Sequence, residues 1–135
     1  MAQFVTAFAV LAASDLARAR AWYAEKLGLQ PVMSLPESDT DVYVISGAQV
    51  TIYQTPSAGT ARNTALGLVV EDLRAAMDEL RSRGVVFEDY DIENGPTTVD
   101  GVSGDAAGGM AAWFTDSEGN ILNLVQLPPG FPLPR

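Results

Sequence analysis

The chain contains no histidine and no cysteine in its 135 residues. Without histidine it lacks the commonest metal ligand and the side chain most often used for acid–base chemistry near neutral pH. Without cysteine it has no disulfide framework and no thiolate nucleophile, and it suits a reducing compartment, the cytoplasm. Basic residues are few: eight Lys and Arg stand against 17 Asp and Glu, giving a formal net charge of −9. Nucleic-acid binding is dominated by Lys and Arg contacts to phosphates, so this balance excludes a nucleic-acid partner. The basic residues are also scattered, with Arg18, Arg20 and Lys26 in one helical stretch and Arg74, Arg81 and Arg83 in another. The apolar run Phe4–Ala13 lacks a basic segment before it and falls far short of the roughly 20 residues that span a bilayer. It reads as a strand, and no membrane partner is expected.

Other chemistry is missing as well. No P-loop or dinucleotide fingerprint occurs. The acidic stretch FEDYDIEN, with Glu88, Asp89, Asp91 and Glu93, lacks the glycine spacing of a calcium loop and reads as a solvated loop. Ser103, between Gly101 and Gly104, has no nucleophile-elbow spacing and no histidine base.

What is present is a repeat. Gly47–Pro56, GAQVTIYQTP, matches Gly119–Pro128, GNILNLVQLP, at an offset of 72, which sets Thr51 on Asn123, Gln54 on Gln126 and Pro56 on Pro128. Both alternate apolar residues around a polar centre and end in proline, the pattern of a strand. A second pair, AFAVLAASDL from Ala7 and ALGLVVEDL from Ala65, matches at an offset of 57 and sets Asp15 on Asp72. Each ends in an acidic N-cap that opens a helix. One strand–helix–strands module is therefore written twice, and the second copy carries 15 additional residues between Asp72 and Gly119.

In order, the sequence predicts strand 1 over Gln3–Ala12. Helix 1 follows, with Leu16, Ala19, Tyr23 and Leu27 on one face and Gly28 closing it. Strands are expected over Leu29–Leu35, Asp41–Ser46 and Gln49–Thr55, with a tight hairpin at Gly47-Ala48. Module one spans 1–56, a small polar linker 57–63, and module two 64–127. Module two opens with strand Thr64–Val70, then helix 2 capped by Asp72 with Leu73, Ala76, Met77 and Leu80 buried, and Gly84 ending it. Strand Val85–Asp89, a long glycine-rich loop Tyr90–Gly109, strand Met110–Thr115, a turn, and strand Asn120–Leu127 complete it. The proline-rich tail 128–135 is expected to run extended. A chain of this length forms one domain able to bury roughly 70% of its unfolded surface.

The paired modules, the segment SDLARARAWYAEKLGL and the segment AAWFTDSEGNILNLVQ together resemble the vicinal oxygen chelate superfamily, which includes glyoxalases, extradiol dioxygenases and fosfomycin- and bleomycin-resistance proteins. The resemblance covers essentially the whole chain. It implies an α+β fold of two tandem βαβββ modules, with a curved mixed sheet around a cleft and helices outside. It also implies four symmetric metal-ligand positions, which fall on Phe8, Thr51, Ala65 and Asn123. Phe and Ala have no donor atom, Thr is a poor ligand, and Asn offers one neutral oxygen. Neither metal nor another cofactor is expected, nor is metal-dependent glyoxalase or dioxygenase activity.

With Thr51 and Asn123 facing the cleft, alternation adds Tyr53 and Val125; Phe8, Ala65 and Tyr43 are further candidates, as are Trp113 and Phe114. An aromatic-walled site with few polar groups suits a small molecule. The expected function is that of a metal-free protein binding or sequestering an aromatic or cationic small organic ligand, similar to bleomycin-resistance proteins and acting as a homodimer. The alternatives are an enzyme of the same superfamily working without the usual metal, and a degenerate module used for protein–protein contact.

Overall fold

The computed structural model describes residues 2–133. The chain builds two mixed four-stranded sheets of identical topology, each with one helix. It divides into two compact units: the residues up to Asn63 together with Asp116–Asn120, and Thr64–Thr115 together with the residues from Ile121 onward.

In the first unit, β1 (Ala9–Ala13), β2 (Met33–Leu35), β3 (Thr40–Ile45) and β4 (Ala48–Gln54) form a sheet in the order β1-β4-β3-β2. β1 runs parallel to β4, with Val10 opposite Thr51 and Leu11 opposite Ile52; the other pairs are antiparallel. Helix α1 (Leu16–Trp22) continues as a π-helical turn, Tyr23–Leu27, and Gly28 ends it at φ 67°, in the left-handed region glycine favours. Leu16, Ala19 and Tyr23 are buried with Leu11, Val50, Ile52 and Tyr43, the side chains of the sheet's helix-covered face.

The repeat seen in the sequence is a capping device. Asp15 accepts from the Arg18 amide at 3.0 Å, and Asp72 from the Ala75 amide at 3.0 Å. The two matched glutamines complete it: Gln54 accepts from the Leu16 amide at 3.0 Å, and Gln126 from the Leu73 amide at 2.9 Å. In each module the last strand thus satisfies a first-turn N–H of its own helix, one of the donors a helix start leaves unpaired.

Helix α1 receives a second cap from the turn Asp116–Asn120. Glu118, whose side chain is fully buried, accepts from the Asp15 amide at 2.9 Å and pairs with Arg18 through Nε at 2.8 Å. Asn120 Nδ2 donates to the Ala12 carbonyl at 2.8 Å. The chain passes so close to Gly119 (φ 86°) that a Cβ there would lie 2.9 Å from the Gly59 Cα.

The Arg18 hydrogen bonds hold Glu118 at a pKa of about 2, below its ordinary 4.5, against the opposing effect of burial. The unfolded chain therefore takes up this proton at a higher pH than the folded chain does. The stabilisation is complete above about pH 4.5 and is lost as pH falls toward about 2. Urea midpoints should fall over that window, and Glu118→Gln should flatten the fall; an unchanged slope in the variant would assign the acid sensitivity elsewhere.

The second unit repeats the plan with β5 (Thr64–Val69), α2 (Leu73–Ser82), β6 (Ser103–Asp105), β7 (Gly109–Thr115) and β8 (Ile121–Gln126), in the order β5-β8-β7-β6. β5 runs parallel to β8, with Gly67 opposite Asn123. Leu73, Met77 and Leu80 of α2 are buried, as are Ala112, Phe114, Leu122 and Leu124 of the strands.

Several expectations are corrected. Strand 1 begins at Ala9 rather than Gln3, because only Ala9–Ala13 finds partners on β4, and Phe4 and Val5 lie exposed. Strand 2 is only Met33–Leu35, and the left-handed hairpin residues are Ser46 and Gly47. Val85–Asp89 is not a strand, although the Glu88 amide donates to the Trp113 carbonyl at 2.8 Å. The loop expected over Tyr90–Gly109 contains β6 and two isolated bridges, Asp91 with Thr97 and Val99 with Val102. The tail turns at Pro128–Phe131 instead of running extended, with the Phe131 amide donating to the Pro128 carbonyl at 3.1 Å. Its last two positions, Pro134 and Arg135, lie outside the described residues. Among the described residues, no helix is long and apolar enough to cross a membrane.

Candidate functional site

Each sheet has one face covered by its helix and one open face. On the first sheet the open face carries Val10, Met33, Leu35, Val42, Val44, Thr51 and Tyr53, which share it by register. Apolar side chains dominate there, and Val10 and Met33 are 54% and 57% exposed. Thr51 is buried, and its hydroxyl makes a long 3.4 Å bond to the Ala9 carbonyl. Phe8 lies in phase with Val10 but just ahead of β1, and is 51% exposed.

Tyr43 stands on the opposite face. It is paired with Val50, is buried, and sets its ring 5.8 Å from that of Tyr23. Its hydroxyl is buried without a hydrogen-bond partner, and burial, with the neighbouring Asp41, pushes the phenol up to about 12. Tyr43 belongs to the packing between sheet and helix, so its candidacy for the open face is corrected.

On the second sheet the open face carries Gly67, Val69, Ala111, Trp113, Ile121, Asn123 and Val125. Trp113 lies opposite Asn123, and Phe114 lies opposite Leu122 on the helix-covered face. Phe114 is fully buried against Phe87, with ring centroids 5.6 Å apart, and is likewise core. Strand alternation thus decides between the two adjacent aromatics in favour of Trp113. Its indole N–H donates to Thr64 Oγ1 at 3.0 Å, and Tyr90 meets its ring edge-to-face at 5.6 Å. These two contacts fix the orientation of the indole on the open face. Ala65 falls in a register shift between Thr64 and Leu66 and has no partner across β8.

Asn123 has a buried side-chain oxygen with no hydrogen-bond partner. A Cβ built on Gly67 would lie 3.0 Å from that oxygen and within 4 Å of nothing else outside its chain neighbours. Neither Gly67 nor Tyr90 stood out in the sequence as a site residue. A glycine inside a strand, as in ALGLVV, is the signal for the first, since it often marks a close approach. Tyr90 follows segment 85–89, which forms no strand, and no periodicity there points to Trp113.

A family model described as glyoxalase/bleomycin resistance protein/dioxygenase superfamily matches residues 5–124. The chain belongs to that superfamily. The glyoxalase/bleomycin resistance protein from Catenulispora acidiphila is 27% identical, with a TM-score of 0.61 over 93% of this chain and 100% of that one. The fosfomycin resistance protein FosX from Listeria monocytogenes is 13% identical, with a TM-score of 0.67 over 93% of this chain and 94% of that one. A Nocardioides glyoxalase/bleomycin resistance protein/dioxygenase is 14% identical, with a TM-score of 0.64 over 100% of this chain and 91% of that one. The latter two show the shared fold. No curated protein matches the sequence.

One FosX variant was solved with Mn(II) and 1S,2S-dihydroxypropylphosphonic acid. In this superfamily member the four positions implied for ligands do not fit such a metal. In the first unit they are Phe8, with no donor, and Thr51, a single hydroxyl. In the second they are Ala65, with no donor, and Asn123, whose amide oxygen is neutral. Among the described residues no three His, Cys, Asp or Glu side chains gather into a metal-binding group. A divalent centre of the usual kind draws on several imidazole or carboxylate ligands.

Proposed function

We propose that this superfamily member is a metal-free small-molecule-binding protein that holds, and thereby sequesters, an aromatic or cationic organic ligand. The observation that carries this reading is the Trp113 indole, fixed by Thr64 and Tyr90 on an open sheet face. A fixed aromatic plane binds flat rings at low entropic cost and attracts cations by up to about 2 kcal/mol when they are desolvated. The acidic surface adds steering of cations, which salt weakens. The reading includes a cytoplasmic homodimer, supported by the absence of cysteine and by the exposed apolar residues of the first sheet's open face.

The test is a fluorescence titration with proflavine, a flat cationic dye, in buffer containing EDTA. Saturable binding is expected, weakened roughly tenfold by Trp113→Ala, about 1.4 kcal/mol. Failure to bind without added Mn(II), or equal binding by the variant, would sink the proposal. Chemical conversion of the dye during the titration would replace the binder by a metal-free enzyme.

A further inference from the structure

The unpartnered oxygen of Asn123 has a consequence for ligand chemistry. A buried carbonyl without a donor gives up its bond to water and gains none in return, and such groups are rare enough in folded proteins to call for a reason. Its neighbours on this sheet face are engaged: the Trp113 indole donates to Thr64, and the strand backbones are paired by the ladders. The oxygen lies beside Gly67, a strand residue outside the left-handed region, so the backbone there does not require glycine. What the glycine provides is room, because any larger residue would place its Cβ against the Asn123 amide.

Charge narrows the choice further. Strands β5, β7 and β8, TALGLV, GMAAWFT and ILNLVQ, contain no charged residue. Among the described residues, the arginines of this unit, Arg74, Arg81 and Arg83, belong to α2 and its end: Arg81 lies over the Phe87 ring and reaches the Asp100 carbonyl, and Arg83 pairs with Glu79. An anionic ligand on the open face therefore meets no counter-charge from these three strands and one electronegative oxygen.

We infer that Asn123 Oδ1, with the space left by Gly67, selects neutral or cationic aromatic ligands that carry an N–H or O–H donor, and that it disfavours anions such as phosphonates. This rests on the binder reading above and adds to it the chemical class the site prefers. The donor on the ligand supplies the bond the oxygen lacks, while the ring lies against Trp113.

Proflavine and acridine orange make the test. They share one flat cationic ring system, and acridine orange replaces the exocyclic amino donors of proflavine with dimethylamino groups. Affinities for both dyes are measured with the unmodified protein, Asn123→Leu and Gly67→Ala. The ratio of the two affinities should favour proflavine by roughly five- to tenfold more in the unmodified protein than in Asn123→Leu. Gly67→Ala, which fills the space beside the oxygen without removing it, should reduce the ratio in the same way. Acridine orange binding should fall less than proflavine binding in either variant, and circular dichroism spectra matching that of the unmodified protein report that both remain folded. A ratio unchanged by both substitutions overturns the donor inference. If both dyes still bind and Trp113→Ala weakens them, the binder reading survives that result; if neither dye binds the unmodified protein, both readings fall together.

Discussion

Asp116→Ala should destabilise the protein by roughly 3–5 kcal/mol, measured by urea denaturation at neutral pH. Asp116 is buried and its two oxygens accept four hydrogen bonds. Oδ1 takes the amides of Glu118 at 2.8 Å and Asn120 at 2.9 Å, and Oδ2 takes the Tyr23 hydroxyl at 2.6 Å and Asn120 Nδ2 at 2.8 Å. Alanine would leave all four donors without this acceptor, two of them backbone N–H groups in a tight turn. The same turn presents Glu118 to the start of α1, so the loss reaches the Arg18 pair and the Asp15 amide as well. Burial, reinforced by the Asp116 carboxylate, holds the Tyr23 phenol far above its ordinary range, which keeps it a permanent donor. Tyr23→Phe removes one donor with its bond and should cost only about 1–2 kcal/mol. A loss below about 1 kcal/mol for Asp116→Ala would mean that water replaces the carboxylate at this turn.

The local halves of this architecture were legible in the sequence, and the long-range halves were not. Asp15 and Asp72 announce two helices because an N-cap acts within three residues, and their structural roles coincide bond for bond. Gln54 and Gln126 were visible as a matched pair, but their function required knowing that each last strand returns to its helix, 38 and 53 residues away. Nothing local marks Asp116 as the partner of Tyr23, 93 residues earlier. Its neighbours DSEGN read only as a turn.

Strand ends went astray for a related reason. Phe4–Ala13 is apolar except for Thr6, yet a strand exists only where a neighbour supplies hydrogen bonds, and β4 supplies them to Ala9–Ala13. β6 was hidden by the opposite effect. Ser103–Asp105 has no apolar alternation and is held by pairing with Gly109–Ala111, where a Cβ on Gly104 would collide with the Gly109 carbonyl. In the candidate site, alternation from Thr51 and Asn123 placed Tyr53 and Val125 on the open faces. Tyr43 and Phe114 fell on the helix-covered faces because register shifts a side chain to the other face with every residue.

The helix-covered face of the first sheet carries its own buried charge, and Arg20→Ala should cost roughly 2–4 kcal/mol there. Asp41 is 0% exposed. Arg20 reaches it through two bonds, Nε to Oδ2 at 2.8 Å and a terminal nitrogen to Oδ1 at 3.0 Å, and Ser34 Oγ donates to Oδ1 at 2.7 Å. Removing the guanidinium would leave a buried carboxylate with Ser34 as its remaining side-chain donor. The cost stays below that of a fully enclosed pair, because the Arg20 side chain is 43% exposed and water can enter where it stood. Replacing both partners, Arg20→Met with Asp41→Leu, should recover most of the loss, since an apolar pair has no charge to strand. Tyr43→Phe serves as the internal control. Its hydroxyl lies close by, buried and unpartnered, so its removal should be neutral or stabilising by up to about 1 kcal/mol. Thermal melts of the three variants against the unmodified protein decide the matter. If Arg20→Ala melts with the unmodified protein, the bidentate pair contributes no net stability, and Ser34 alone satisfies Asp41.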